Sequence, residues 1–325
     1  GVTDLVEQLH ATIARGRAPL GAPERQPTTG ITGGVYRSIR GITRWVGRGL
    51  DGTLRLLEGE PADSLAPPDP RREAMLAALN GVLGDRLAES GNPLAIPMRL
   101  RLAGHPLTLT AEGLAAGVPA PSGRVLVLVH GLAMNDLQWQ RAGHDHGHHL
   151  ARAHGYTVLA LHYNTGCHIS HNGAAFAEAL EAALAHWPVP VEELVIVGHS
   201  MGGLVARSAI HTADQHRLGW RRHLTRLVCL GTPHHGAALE RGGHLVEMVL
   251  GVSPYAAPFR RLGLVRSAGI TDLRFGNLQD ADWQGRASLD QRHDDRRPVP
   301  LPEGVQVFFV AATTVVGLIA CLALL

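Results

Sequence analysis

Short apolar runs separated by helix-length segments dominate the chain from residue 97 onward. Val125–Val129, Tyr156–Leu161, Leu194–Val197, Leu227–Leu230 and Val305–Ala311 read as strands. They are near-continuous in apolar residues rather than alternating, the pattern of strands covered on both faces of a parallel sheet. Segments near Asp136–His154, Asn172–His186 and Gly202–Gln215 between them read as helices. Met98–Leu102 and Leu107–Thr110, around Gly104-His105-Pro106, predict an opening hairpin. The alternation predicts an α/β fold with a mostly parallel, doubly wound sheet. Residues 239–302 interrupt it with mixed helix and loop. A cap insertion is therefore expected over the carboxyl ends of the strands, where such sheets bind ligands.

The first 96 residues follow a helical period instead. Val2, Leu5, Val6, Leu9 and Ile13 predict a short amphipathic helix. From Ile31 to Leu57, apolar residues recur at threes and fours, and Arg37, Arg40, Arg44, Arg48 and Arg55 occupy the opposite face. A Pro-rich linker, Glu60–Pro70, precedes a third helix near Arg71–Glu89. The expected organisation is a helical N-terminal extension over 1–96, a core over 97–314 and an apolar tail over 315–325. Two readings fit the arginine-edged stripe: a helix packed on the main domain with arginines outward, or one lying on an anionic membrane surface. The interspersed glycines suit close packing and favour the first. Val305–Leu325 carries no charge and is long enough to span a bilayer. A buried strand at its start is preferred, which leaves Thr313–Leu325 too short to span.

Composition narrows the classes. Apolar residues make up 45% and charged residues 18%, which supplies a core and excludes a disordered chain. All 30 basic residues are arginine against 28 acids, for a net charge of +2. With so much Ala, Gly and Pro, that arginine use reflects a GC-rich coding sequence, and no nucleic-acid partner is expected. The tryptophans are spread out and form no stacking platform. Cys167, Cys229 and Cys321 build no disulfide framework and show no zinc spacing. Gly1–Ile13 lacks the apolar region of a signal peptide. A cytoplasmic location is expected, with peripheral membrane contact through the stripe or the tail. His144-Asp145-His146-Gly147-His148-His149 and the Cys167/His168/His171 group resemble metal sites, but histidine is abundant at 20. No metal is assigned to either, and no cofactor is expected.

The chemistry concentrates at Gly198-His199-Ser200-Met201-Gly202. This G-x-S-x-G follows the run Leu194–Val197 and precedes a helical segment, the strand–turn–helix setting of a nucleophile elbow. Such a turn strains the Ser200 backbone and lifts its hydroxyl off the sheet. Gly198 and Gly202 leave room where a Cβ would clash, and the helix N-terminus adds a positive dipole. A second signal is Val127-Leu128-Val129-His130-Gly131-Leu132. Acyl transfer needs two fixed amide donors for the developing oxyanion. Met201, after the nucleophile, and Leu132, after the tight turn at Gly131, are the candidates. His130 is expected to brace this loop by hydrogen bonding.

At these residues the chain resembles the α/β-hydrolase superfamily, in particular bacterial lipases and esterases with an HGL oxyanion loop and a GHSMGG elbow. Through Leu230-Gly231-Thr232-Pro233-His234-His235-Gly236 it is also similar to GPI-inositol-deacylase-like hydrolases. The resemblance covers Pro97 to Thr314. It implies a serine hydrolase cleaving carboxylic esters, including lipids, through a Ser200 acyl-enzyme, with a small-molecule or lipid ester as substrate. It places Leu161–Gly166 in a loop lining the site. It also implies a triad order of Ser, acid, His, with the acid and His beyond a late strand. After Val305–Ala311 neither is present: the last acid is Glu303 and the last histidine His293. Three readings stay open. The chain is truncated or frameshifted near Thr314. Or it is a relative without turnover, acting as a membrane-associated lipid-binding protein. Or the base comes from elsewhere, with His234, His235, His244 and His293 as candidates and Glu240, Glu247 or Asp272 as the acid. His234 and His235 are expected to be structural.

Overall fold

The Asp69 carboxylate accepts a hydrogen bond from the Arg71 amide at 2.9 Å and starts helix α1, Pro70–Glu89, with Pro70 in its first turn. This computed structural model describes residues 69–141, 143–236, 267–285 and 296–311. The expected helices at 2–13 and 31–57, the apolar run Leu245–Leu250 of the cap and the tail 315–325 lie outside the described residues. The chain divides into two compact units, Gly1–Ala66 and Pro67–Leu325. The boundary expected at Pro97 therefore falls earlier, and α1 belongs with the sheet. The reason is its small-residue face: Ala74, Ala77, Ala78, Gly81 and Val82 are buried. Asn80, fully buried, donates to the Leu94 carbonyl at 2.8 Å and accepts from the Ile96 amide at 2.9 Å, pinning the exit of the helix to its middle.

After α1 come β1 (Arg99–Leu102), β2 (His105–Pro106), α2 (Ala111–Gly117), β3 (Arg124–Val129), β4 (Gln140–Arg141), β5 (His144–Asp145), α3 (His146–His154) and β6 (Thr157–His162). Then follow α4 (Ile169–Ala185), β7 (Glu193–His199), α5 (Met201–His216), β8 (Leu224–Leu230), α6 (Ala268–Phe275) and β9 (Gln306–Val310). Seven strands form one mixed sheet in the order β2-β1-β6-β3-β7-β8-β9. β1 pairs antiparallel with β2 and β6; every other pairing in this sheet is parallel. The expected α/β, mostly parallel sheet with helices on both faces is what forms. Val125, Val127 and Val129 of β3 join one buried cluster with residues of α4 and α5. Leu126 and Leu128 join a second with Val195, Val197, Trp139 and Leu150. Burial on both faces explains the unbroken apolar runs.

Three local expectations change. Asp136–His154 is not one helix. An Asn135 capping box closes a short 3₁₀ turn, Asp136–Trp139, and a tight turn at Gly143, with φ of 78°, returns the chain through β4 and β5 before α3 begins. Leu107–Thr110 does not extend the hairpin, because the Thr110 hydroxyl accepts from the Gly113 amide at 3.1 Å and caps α2. The last strand exists, but as an exposed edge rather than a buried one: Phe308, Phe309 and Val310 are each about half exposed. Among the described residues no helix is long and apolar enough to cross a membrane.

The amino ends of the central strands are joined by one carboxylate. Glu193 accepts from Arg124 Nε at 2.9 Å, from the Tyr156 hydroxyl at 3.0 Å and from the Thr225 hydroxyl at 2.9 Å, and it also pairs with Arg226. Desolvation pushes its carboxyl pKa up. The hydrogen bonds from Arg124, Thr225 and Tyr156 and the Arg226 charge outweigh that and hold it below the ordinary value. A depressed carboxylate stabilises the fold above the unfolded-state pKa of about 4.3 and loses that contribution as pH falls through its folded value. E193Q is expected to cost about 2 kcal/mol at neutral pH. Urea melts should show the gap from wild type narrowing as pH falls below the ordinary carboxylate range.

Candidate active site

The backbone of Ser200 sits at φ 53° and ψ −121°, a left-handed value that a side chain adopts only when its surroundings impose it. The surroundings are two close backbone approaches. A Cβ on Gly202 would lie 2.2 Å from the Val129 carbonyl oxygen, and one on Gly198 would lie 2.5 Å from the Gly203 nitrogen. Only glycine lets the first turn of α5 settle on the ends of β3 and β7. The Ser200 amide donates to the Leu230 carbonyl at 2.8 Å, and its own carbonyl accepts from the Gly203 amide at 3.1 Å. The turn is thus tied to β8 as well.

The loop after β3 lies against this turn. A Cβ on Gly131 would stand 3.2 Å from Ser200 Cβ and 3.2 Å from His199 Nδ1. The Met134 amide donates to the Gly131 carbonyl at 3.3 Å, and the Ala133 amide to the Thr165 hydroxyl at 3.1 Å. Ala133 itself takes a φ of 55°. Leu132 sits between these anchors with its side chain fully buried, as is that of Met201. Among the described residues neither the Leu132 nor the Met201 amide has a hydrogen-bond partner. Two unspent backbone donors therefore belong to the two chain segments that meet at Ser200.

His130 and His199 flank the turn without reaching the hydroxyl. His130 Nδ1 donates to the Gly131 carbonyl at 3.0 Å, and its ring stacks on Tyr163 with centroids 4.5 Å apart. The Tyr163 hydroxyl donates to the His130 carbonyl at 2.7 Å. Burial pulls the His130 pKa down to about 3, so the ring is neutral and serves as a brace. His199 turns edge-on to Trp139 at 6.5 Å, and burial lowers its pKa too. The Leu161–Gly166 loop lines this region through Tyr163 and Thr165. His162 instead enters a buried group with Glu73 and Asp136. Among the described residues this trio is the one set able to hold a metal ion. Arg101 Nη1 already bridges both carboxylates, at 2.8 and 3.0 Å, so a charge network fills the place.

The candidates for base and acid separate. His234 Nδ1 faces the Arg207 guanidinium at 3.1 Å and must accept from it, which puts the ring proton on Nε2. Burial, then the Arg207 and His235 charges, depress its pKa to about 4. A ring with its acceptor nitrogen engaged cannot take a serine proton. His235 is exposed; His244, His293, Glu240 and Glu247 lie outside the described residues. Asp272 is fully buried and already committed. It accepts from His168 Nδ1 and the Ile169 amide, each at 2.9 Å, and from the Asn277 side chain at 2.9 Å. The His168 ring stacks on Trp283 at 3.6 Å. Sequence reasoning missed this Asp–His pair, and a separation of 104 residues offers no local signal for it. Among the described residues Ser200 Oγ has no hydrogen-bond partner.

If the turn stores strain, glycine should relieve it where alanine cannot. S200G is expected to be more stable than S200A by about 1 kcal/mol in urea melts, because the positive φ costs alanine and not glycine. Equal stability, or a more stable alanine variant, would mean that the turn is unstrained.

A lipase from Bacillus licheniformis, BlEst2, is 22% identical in its propeptide form over 49% of this chain and 32% of that one, with a TM-score of 0.34. Its mature form gives 22% over 49% and 58%, with a TM-score of 0.35. An esterase from Pyrococcus furiosus is 16% identical over 46% and 57%, with a TM-score of 0.31. The chain spans less than two thirds of the length of each of these structures. A comparison with the curated proteins gives no match. The model of the PGAP1-like alpha/beta domain matches residues 120–285, from just before β3 through the elbow to Gly285. The chain belongs to the PGAP1-like alpha/beta domain family, an α/β-hydrolase lineage.

Proposed function

We propose that the protein is a serine hydrolase acting on carboxylic esters, with Ser200 as nucleophile and the Leu132 and Met201 amides as the oxyanion hole. The observation that carries the reading is the meeting of a strained serine with two unspent amide donors from adjoining segments. In the reaction Ser200 Oγ gives its proton to a base and attacks the acyl carbonyl, and the two amides hold the oxygen as it gains charge. The ester C–O bond breaks and the alcohol leaves with that proton, and water then hydrolyses the acyl-enzyme to the acid and free Ser200. Fixed donors of this kind are each worth roughly 3 kcal/mol of barrier. Met201 heads α5, so the helix dipole adds to its donor. His234 is not the base that takes the Ser200 proton, because its acceptor nitrogen is engaged by Arg207, and His130 makes no hydrogen bond to the Ser200 hydroxyl. Lipid esters are the proposed class within this reading, and a series of p-nitrophenyl esters of rising chain length distinguishes them from short-chain substrates.

The test is fluorophosphonate labelling of the full chain, read by mass spectrometry of the peptide bearing Ser200, alongside ester turnover. Wild type is expected to carry the adduct on Ser200. S200A is expected to lose labelling and to drop turnover by about a thousandfold or more. Turnover unchanged in S200A would remove the reading.

One observation favours a second reading: among the described residues no histidine meets the Ser200 hydroxyl. A relative that binds lipid without turnover, at a membrane surface, would fit. It requires a folded, unlabelled Ser200, no hydrolysis of any ester in the series, and sedimentation with liposomes.

A further inference from the structure

A buried charge group meets the oxyanion loop at its exit. It takes Glu73 from α1, Arg101 from β1, Asp136 from the 3₁₀ turn and His162 from β6. The four side chains are only 2% (Asp136) to 11% (Arg101) exposed. Arg101 Nη1 donates to Glu73 Oε2 at 2.8 Å and to Asp136 Oδ1 at 3.0 Å. His162 Nδ1 donates to the same Asp136 oxygen at 3.1 Å, and its Nε2 stands 3.8 Å from Glu73 Oε2. Burial pushes the Asp136 pKa up, but the His162 hydrogen bond and the Arg101 charge outweigh it and hold the carboxyl below its ordinary value. A buried ionic group is a poor source of stability, since apolar side chains of similar volume often do as well. Arg101 Nε is even buried with no partner. What the group supplies is a fixed place for Asp136, the fourth residue after Leu132.

That place matters because the loop between is strained. Ala133 takes a φ of 55°, which an alanine keeps only where the chain on both sides is held. On the entry side the Tyr163 hydroxyl holds the His130 carbonyl at 2.7 Å, and the Thr165 hydroxyl holds the Ala133 amide at 3.1 Å. On the exit side the bond from the Met134 amide to the Gly131 carbonyl is long, at 3.3 Å, and the Asn135 side chain is occupied in capping its own turn. Asp136 is the next polar side chain that reaches other elements. Arg101 ties it to β1 and, through Glu73, to α1. Were that tie lost, Ala133 could relax to a negative φ and re-aim the adjoining Leu132 amide. We propose that Arg101 is a positioning residue: backed by Glu73, it holds Asp136 so that the strained loop keeps the Leu132 amide aimed at Ser200. The inference rests on the oxyanion-hole reading above. Glu73 and Arg101 precede residue 120, where the family match begins, so the chain supplies this support from outside the matched region.

The test uses the full chain with R101M, R101K and D136N, read in two ways. Amide hydrogen exchange of the peptide spanning 131–137, followed by mass spectrometry, reports the loop without turnover. R101M and D136N are expected to speed exchange at the Ala133 and Met134 amides about tenfold, with R101K close to wild type. Ester hydrolysis is counted per Ser200 site labelled to completion by fluorophosphonate, which removes any loss of folded protein. Per site, kcat is expected to fall about tenfold or more in R101M and D136N while KM stays within about twofold, and R101K is expected to recover most of it. D136N carries the test if R101M fails to fold. Exchange unchanged in the folded variants, kcat per site unchanged, or a loss confined to KM would each overturn the inference. A wild type that neither labels nor turns over esters would remove the hydrolase reading instead, and the exchange result would then decide the positioning of the loop on its own.

Discussion

Everything at the carboxyl edge of this sheet depends on how closely the first turn of α5 approaches β3. The Gly202 Cα sits where any Cβ would meet the Val129 carbonyl oxygen at 2.2 Å. That contact leaves the chain too little room to pass from β7 into α5 by an ordinary loop. The turn is made in one residue, and Ser200 takes the positive φ that results. The cost of about 1–3 kcal/mol is covered by hydrogen bonds on both sides, from Ser200 to Leu230 and from Gly203 to Ser200. A larger residue at 198 or 202 would push α5 away from the sheet and let the turn relax. The serine would then lose its approach to the loop at Gly131.

That loop is fixed from outside as firmly as the serine is from below. α1 crosses it closely enough that a Cβ on Gly81 would stand 2.7 Å from the Ala133 methyl. Thr165 holds the Ala133 amide, and the Tyr163 hydroxyl holds the His130 carbonyl. α6 then locks the outer layer: the Ser267 hydroxyl donates to the Gly81 carbonyl at 2.7 Å, and the Gly269 amide to the Gly166 carbonyl at 2.9 Å. The free Leu132 amide is therefore held in place before any ligand arrives. Electrostatic stabilisation needs such donors already in position, because donors that must reorganise give back most of what they contribute.

What could be read from the chain beforehand divides along the range of the interactions. Strands β3, β6, β7 and β8 and the turn at Ser200 are local features, encoded in consecutive apolar residues and in glycines two places either side of the serine. They were legible. The break of Asp136–His154 into a 3₁₀ turn, a two-strand ladder and α3 depends on Asn135 and Gly143, which a helical period conceals. The place of α1 in the main unit depends on glycine contacts with Ala133 and Asn164, and no periodicity announces them. The commitment of Asp272 to His168 and the tautomer imposed on His234 by Arg207 join distant segments. Only coordinates remove those two from the set of candidate bases and acids.

The central claim is that the Leu132 and Met201 amides face one point beside Ser200 Oγ. A crystal structure of the phosphonylated protein tests it most directly. The account expects the phosphoryl oxygen of the Ser200 adduct within about 3.1 Å of both amide nitrogens. An adduct whose oxygen points to solvent, or contacts neither amide, would contradict it.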